Sequence, residues 1–181
     1  MDKDNLTKSF FIKLKKILKS DDSFRKNDGA EFYKLEFDEF FENGVDVNAQ
    51  DEYGYTALNY AIDFASIGLT KFLLTKDVDV NKKGFEGFTA LQRSIVSPSE
   101  TKGLKITLLL LEHGADPSIK NQYGHSALDL AIMTRHYDAF THLLKYGAKF
   151  DYDTIGVDGK KLIDTMPSIM REKIEIQNEN E

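Results

Sequence analysis

The strongest metal ligands in this chain are four histidines, His113, His125, His136 and His142, and there is no cysteine. No two of the histidines stand four residues apart, and the Glu-containing zinc motif is missing, so no local zinc site is built. Without thiols there are no disulfides, zinc-thiolate sites, iron–sulfur clusters or cysteine nucleophile. Neither a G-x-S-x-G elbow nor a glycine-rich loop running into Lys-Ser/Thr is present. Carboxylates are many, but they scatter over turns and helix ends as solvation demands. Catalysis, a metal and a cofactor are therefore not expected. His113, just ahead of Gly114, is placed to cap a helix end, and His142 to sit on a helix surface.

What remains is the chemistry of contact. Tyr53, Tyr55, Phe64, Phe85, Phe88 and Tyr123 fall near turn glycines or helix ends, with His125 and Met133 close by. Glu52, Asp63, Glu86 and Gln122 are interleaved with them, and Asp51 adjoins. Rings exposed at a surface anchor protein interfaces, because they bury a large area at little entropic cost. Acids alongside would steer in a partner with a basic or mixed surface.

A repeat places these residues. "YGYTALNYAI" (53–62) returns as "EGFTALQRSI" (86–95) and as "YGHSALDLAI" (123–132). A second motif keeps the same period: "NGVDVN" (43–48), "KDVDVN" (76–81), "HGADPS" (113–118) and "YGAKFD" (146–151). The Thr or Ser before Ala-Leu can cap a helix, because its oxygen accepts a free N–H of the first turn. Leu58, Ala61 and Ile62 then share one helical face, as do Leu128, Ala131 and Ile132. A second amphipathic helix follows in each unit: "LTKFLLTK" (69–76), "LKITLLLLEH" (104–113) and "DAFTHLLKY" (138–146). Gly114 and Gly147 suit the left-handed position beyond a helix end, where Asp77 would carry a conformational cost.

With its period near ~33 residues, the pattern resembles the ankyrin repeat, whose signature is Thr-Pro-Leu-His-x-Ala. Here the proline is Ala57, Ala90 or Ala127 and the histidine is Asn59, Gln92 or Asp129, departures expected to weaken individual turns. The resemblance implies an all-α solenoid of stacked helix-turn-helix units with short hairpins between repeats. Its divisions are an N-terminal capping unit (1–50), repeats at 51–83, 84–120 and 121–153, a C-terminal cap (154–176) and a frayed tail (177–181). The wider spacing of the middle repeat locates an insertion at 96–103, expected as a longer helix–helix loop. Residues 6–19 supply the first helix of the first unit and 30–48 its second helix and exit turn, with Phe32, Leu35, Phe37, Phe40 and Phe41 as the apolar side of that second helix.

The resemblance also implies a function: non-enzymatic binding of a folded protein in a concave groove. Its lining maps onto Glu52, Tyr53, Tyr55, Asp63, Phe64, Phe85, Glu86, Phe88, Gln122, Tyr123, His125 and Met133. A dedicated inhibitor, such as a bacterial immunity protein against a toxin, suits a chain with nothing appended to its repeats. A secreted host-directed effector or an adaptor in a larger assembly are the alternatives. Charge separates further partners. Residues 1–26 hold eight Lys/Arg against four Asp/Glu, so of the net −6 the rest of the chain carries −10. So acidic a body disfavours nucleic acid. Membrane association would have to use the basic helix at 6–19. Lys13, Lys15 and Lys16 interrupt the N-terminal apolar residues, and no run approaches the ~20 residues of a membrane span. A cytoplasmic monomer is the expectation.

Overall fold

Three helices begin at a hydroxyl that closes a reciprocal cap. In a computed structural model describing residues 3–20, 29–149, 163–164, 166–168 and 171–172, Thr56, Thr89 and Ser126 each accept the backbone N–H three residues on. In return, the side chains of Asn59, Gln92 and Asp129 accept the N–H groups of Thr56, Thr89 and Ser126 at 3.0, 3.0 and 2.7 Å. At the histidine position of the signature the expected weakening of the turns is thus corrected. The residues standing where the ankyrin signature has histidine complete a capping box, satisfying two otherwise orphaned donors per helix.

The helices are α1 (Lys3–Lys19), α2 (Ala30–Glu42), α3 (Ala57–Asp63), α4 (Ile67–Leu74), α5 (Ala90–Ile95), α6 (Glu100–Glu112), α7 (Ala127–Met133) and α8 (Tyr137–Lys145). They form two layers. The inner row α1, α3, α5, α7 and the outer row α2, α4, α6, α8 each pack neighbour on neighbour, and the members of each pair pack on one another. The described residues contain no strand. Ala57, Ala61, Ala90, Ala127 and Ala131 are buried between helices, their small side chains permitting close approach. Between an outer helix and the next inner one the chain runs out as a finger: finger 1 (43–56), finger 2 (75–89) and finger 3 (113–126).

The first unit is sealed with rings. Phe10 of α1 meets Phe37, Phe40 and Phe41 of α2 edge-on, at centroid distances of 5.4, 5.7 and 5.6 Å. Leu35 is corrected: it lies 80% exposed on the outer surface. Tyr33 and Phe37, four apart, define the buried face, which Leu35 opposes at a two-residue offset from each.

Two further expectations change. The insertion does not simply lengthen a loop, because residues 100–103 form an extra first turn of α6. Gly103 is what admits that turn, since a Cβ there would press on the Ser94 carbonyl and the Ser97 side chain. The buried Ser94 and Thr107 hydroxyls then bond at 2.7 Å. Asp77, for its part, does not adopt the left-handed conformation that Gly44, Gly114 and Gly147 take at φ +83°, +83° and +82°. Where those glycines let the next N–H reach back to the helix, the Val78 N–H turns instead to the Lys76 carbonyl at 2.7 Å. The conformational cost falls elsewhere, on Ala65 (φ 49°) and Arg135 (φ 59°) between paired helices.

Past α8, Ile163 and Met166 join the same core. The C-terminal boundary at 154 and the tail at 177–181 lie outside the described residues.

Candidate functional site

Each finger tip closes on one backbone bond: Asp51 N–H to the Tyr55 carbonyl, Gly84 to Phe88 and Asn121 to His125, all at 2.9 Å. In finger 1 the Asp51 carboxylate also accepts the N–H groups of Tyr53 and Tyr55, both at 3.0 Å. The Asn121 carboxamide oxygen does the same for Tyr123 and His125 at 2.9 and 3.1 Å. Finger 2 cannot copy this, because any side chain at residue 84 would collide with Asn59. Its tip instead places Glu86 (φ 58°) in the left-handed region, ahead of Gly87, which is left-handed like Gly54 and Gly124, and leaves the Glu86 side chain exposed.

Two cations stitch the rings of this face together. Lys15 reaches from α1 to the Asp51 carboxylate at 2.7 Å and approaches Glu52 at 3.6 Å. Its ammonium lies 5.4 Å from the centroids of both Tyr53 and Tyr60, and the Tyr60 hydroxyl donates to Asp51 at 2.7 Å. The Asp51 side chain is only 1% exposed. Burial opposes its charge, but hydrogen bonds from Lys15, Tyr60 and the backbone of Tyr55 and Tyr53 outweigh it and hold the carboxyl below its ordinary range. Burial likewise works against the Lys15 ammonium, and the bonds to Asp51 and Tyr60 more than compensate, raising its pKa. Burial and the Asp51 bond push Tyr60 up to about 12. These directions describe one locked triad.

Arg93 makes the second junction. Its Nη1 donates to both oxygens of Asp63 at 2.9 Å, and its guanidinium carbon lies 4.6 Å from the Tyr55 centroid and 5.8 Å from that of Phe88. Tyr55 stacks on Phe85 at 5.5 Å, and Phe88 meets Tyr123 edge-on at 6.4 Å. A continuous row of rings therefore crosses three fingers, with cation–π contacts at two points. Among the described residues no group of three His, Asp or Glu is disposed to hold a metal, and no helix is long and apolar enough to cross a membrane.

Residues 30–121 match the family described as ankyrin repeats (3 copies). The chain belongs to the ankyrin-repeat family. It is 33% identical over 101 residues to the ankyrin repeat protein YahD of Escherichia coli (strain K12), covering 55% of this chain and 50% of that one. It is 30% identical over 143 residues to an ankyrin repeat protein of Rickettsia bellii (strain RML369-C), covering 75% and 42%. Against the ankyrin repeat protein FPV034 of Fowlpox virus (strain NVSL), it is 28% identical over 109 residues, covering 60% and 25%. The chain thus spans half the length of these relatives or less. Ankyrin repeats are protein-interaction modules, and that coarse function applies to this chain.

Within the ankyrin frame the twelve residues named from sequence fall into distinct environments. Tyr53 is 64% and Tyr123 56% exposed, and Phe85, Met133, Glu52, Glu86 and Gln122 are exposed as well. Tyr55, Phe88 and His125 are half-buried; the first two pack within the row, and Phe64, also half-buried, packs against the core. Asp63 is accessible but engaged by Arg93. The Gln122 N–H joins finger 3 to the Glu86 carbonyl at 3.3 Å. Sequence reading missed Lys15, Tyr60 and Arg93. A signal existed for two of them, since one repeat position reads Tyr60, Arg93 and Leu130, changing while its neighbours stay fixed. Lys15 lies in a unit too degenerate to align.

Proposed function

We propose that this ankyrin stack binds a folded protein partner across the finger tips and the ends of its inner helices, with Tyr53, Phe85, Tyr123 and Met133 as anchors. One observation carries the reading: the accessible rings Tyr53, Phe85 and Tyr123 stand one per finger, on a row that Lys15 and Arg93 hold in place. Anchors fixed beforehand lose little entropy on binding. Glu52 and Glu86 remain accessible beside them and favour a partner with a basic surface. Tyr55 and Phe88 serve mainly as supports, while Asp63, Phe64, Gln122 and His125 complete the surroundings.

The test replaces Tyr53, Phe85 and Tyr123 by alanine together. Wild-type and triple-variant proteins are used side by side for affinity capture from the native source, and the captured partner's affinity for each is then measured by calorimetry. A loss of at least about 100-fold is expected when several anchors go; equal affinity with an intact fold overturns the assignment. A dedicated inhibitor of the toxin–immunity kind is the narrower form of this function. It requires the partner's activity to fall as the complex forms, whereas an adaptor leaves that activity intact. Association with a membrane through α1 loses its support, because Leu6, Phe10, Leu14 and Leu18 spend the apolar face of that helix in the protein core.

A further inference from the structure

Fingers are joined by a rule that the first finger leaves unfulfilled on one side. Asn48 of finger 1 donates its carboxamide N–H to the Asp77 carbonyl at 3.0 Å and accepts the Asp79 N–H at 2.7 Å. Asn81 of finger 2 repeats this one unit on, with the Gly114 carbonyl at 3.2 Å and the Asp116 N–H at 2.8 Å. Gln50 adds a bond from its Nε2 to the Lys83 carbonyl at 3.0 Å. Fingers 2 and 3 therefore each present backbone groups on their N-terminal side, which the preceding finger grips.

In finger 1 the groups in register are the Gly44 carbonyl, the Asp46 N–H and the Gln50 carbonyl. Among the described residues none of the three has a partner, and all three residues are exposed. They border an open cleft of about 830 Å³, whose other wall is the N-terminal half of α1 with Thr7, Lys8, Phe11 and Ile12. Ile12 is 69% exposed, an apolar side chain largely in water. Asp46 and Glu52 put negative charge on the finger side of the same cleft.

We propose that this cleft docks an extended segment of a partner protein, which lies along finger 1 as an added finger. A carboxamide side chain of that segment bridges the Gly44 carbonyl and the Asp46 N–H, its backbone or a second polar side chain donates to the Gln50 carbonyl, and an apolar residue covers Ile12. The choice of occupant rests on continuity with the finger–finger interface inside the molecule. An acceptor and a donor two residues apart are what one asparagine spans in both internal examples. A helix buries its own backbone groups and cannot complete an edge in this way, whereas added extended chain does so by main-chain and side-chain bonds. Basic residues on the finger side of the segment suit Asp46 and Glu52, and its α1 side meets Lys3 and Lys8, so a segment of mixed charge fits best. The cleft adjoins the ring-lined face and shares Asp51 and Glu52 with it, but its Gly44, Asp46, Gln50 and Ile12 groups belong to none of the ring contacts, so it can act together with that face on one partner or serve a second one.

The probe is an end-capped peptide with the sequence of residues 76–88, "KDVDVNKKGFEGF", which carries Asn81 and two following lysines. It is titrated into isotope-labelled full-length protein and followed by NMR. Saturable shifts confined to the Gly44, Asp46 and Gln50 amides and the Ile12 methyls are expected. A peptide with Asn81→Ala should bind about tenfold more weakly, two hydrogen bonds of ordinary net strength being lost. The protein variant Ile12→Glu, altered at an exposed site, should keep its thermal midpoint and lose the shifts. The proposal is overturned if no shift appears up to millimolar peptide, if the Asn81→Ala peptide binds equally, or if the shifts fall at Gly114 and Asp116 or along the rings of fingers 2 and 3. Concentration-dependent broadening at Gly44 and Asp46 without peptide would assign the cleft to a second copy of this chain and overturn it too. Every outcome is independent of the alanine triple at the ring face, so the two readings fail separately.

Discussion

Substituting Asp51 by asparagine separates the two tasks of that side chain. The carboxylate holds the tip of finger 1 through the N–H groups of Tyr53 and Tyr55, and it anchors Lys15 and Tyr60 through its other oxygen. Asn121 performs the first task in finger 3 with a carboxamide, at nearly the same distances, so Asp51→Asn should preserve the turn. It removes the charge beneath Lys15. A hydrogen bond to a charged group contributes roughly 1.5–3 kcal/mol, and breaking a buried ion pair costs roughly 3–5. Lys15 keeps 23% exposure and has Glu52 within 3.6 Å, so the lower part of that span applies: about 2–3 kcal/mol. Asp51→Ala also loses both turn bonds, each contributing roughly 0.5–1.5 kcal/mol, for a total of about 4 kcal/mol. Urea unfolding monitored by circular dichroism measures both values, and hydrogen exchange across α1 locates the damage. Pairing Asp51→Asn with Lys15→Met should leave a coupling of about 2 kcal/mol. If Asp51→Asn stays within about 0.5 kcal/mol of wild type, the contact behaves as a surface ion pair and the locked triad is refuted.

The same triad fixes a pH dependence. The folded pKa of Asp51 lies below its unfolded value, so the stability it confers is complete above the ordinary carboxylate range and disappears as pH falls through the folded value. Lys15 is raised, so its share holds below the ordinary lysine range and is lost as alkali passes the folded value; that of Tyr60 fades from its ordinary value towards about 12. Thermal midpoints of wild type and Asp51→Asn should accordingly differ at pH 7 and draw together as pH falls below the ordinary carboxylate range, as scanning calorimetry would record. Arg135, exposed at φ 59° after α7, should accept glycine with a gain of roughly 0.5–1 kcal/mol in urea unfolding, as relief of left-handed strain outweighs added chain entropy. Gln92→Leu should cost about 3 kcal/mol or more in the same assay. It removes half of a capping box and the bonds from Gln92 Nε2 to the carbonyls of Ile119 and His125, leaving buried groups unsatisfied. Arg93→Met should lower stability by about 1–3 kcal/mol and increase the mobility of the Tyr55 and Phe88 rings in NMR line shapes.

The fold was legible where a position demands one residue type at a fixed offset. Thr56, Thr89 and Ser126 are caps in any context that starts a helix there, and Leu58, Leu91 and Leu128 follow two residues later into the core. Leu35 could have been placed correctly by the same reasoning, because Tyr33 and Phe37 define a helical face that it opposes. Gly103 was less legible, since its purpose is contact with the Ser94 carbonyl of a different helix. The ring face was legible as a set of aromatic positions and illegible as an arrangement. What fixes Tyr55 is Arg93, one repeat further along, and what fixes Tyr53 is Lys15, in a helix without recognisable repeat sequence.

That dependence bears on how such a face acquires specificity. One repeat position is occupied by Tyr60, Arg93 and Leu130, and in the first two repeats its residue engages the neighbouring rings or charges. Tyr60 joins a carboxylate and an ammonium, and Arg93 grips two rings and a carboxylate. Leu130 is buried and brings no charge, and the exposed candidate residues of its repeat are Tyr123, Met133 and the uncharged Gln122. The face therefore grades from a polar, internally satisfied end at finger 1 to a more apolar end at finger 3. Dry apolar anchors contribute most of the energy in protein interfaces, while charges that already have partners contribute little more. On that reasoning, Tyr123 and Met133 should outweigh Tyr53 in partner affinity when each is changed to alanine singly. A larger loss at Tyr53 would mean that the partner displaces Lys15 from its site rather than covering it.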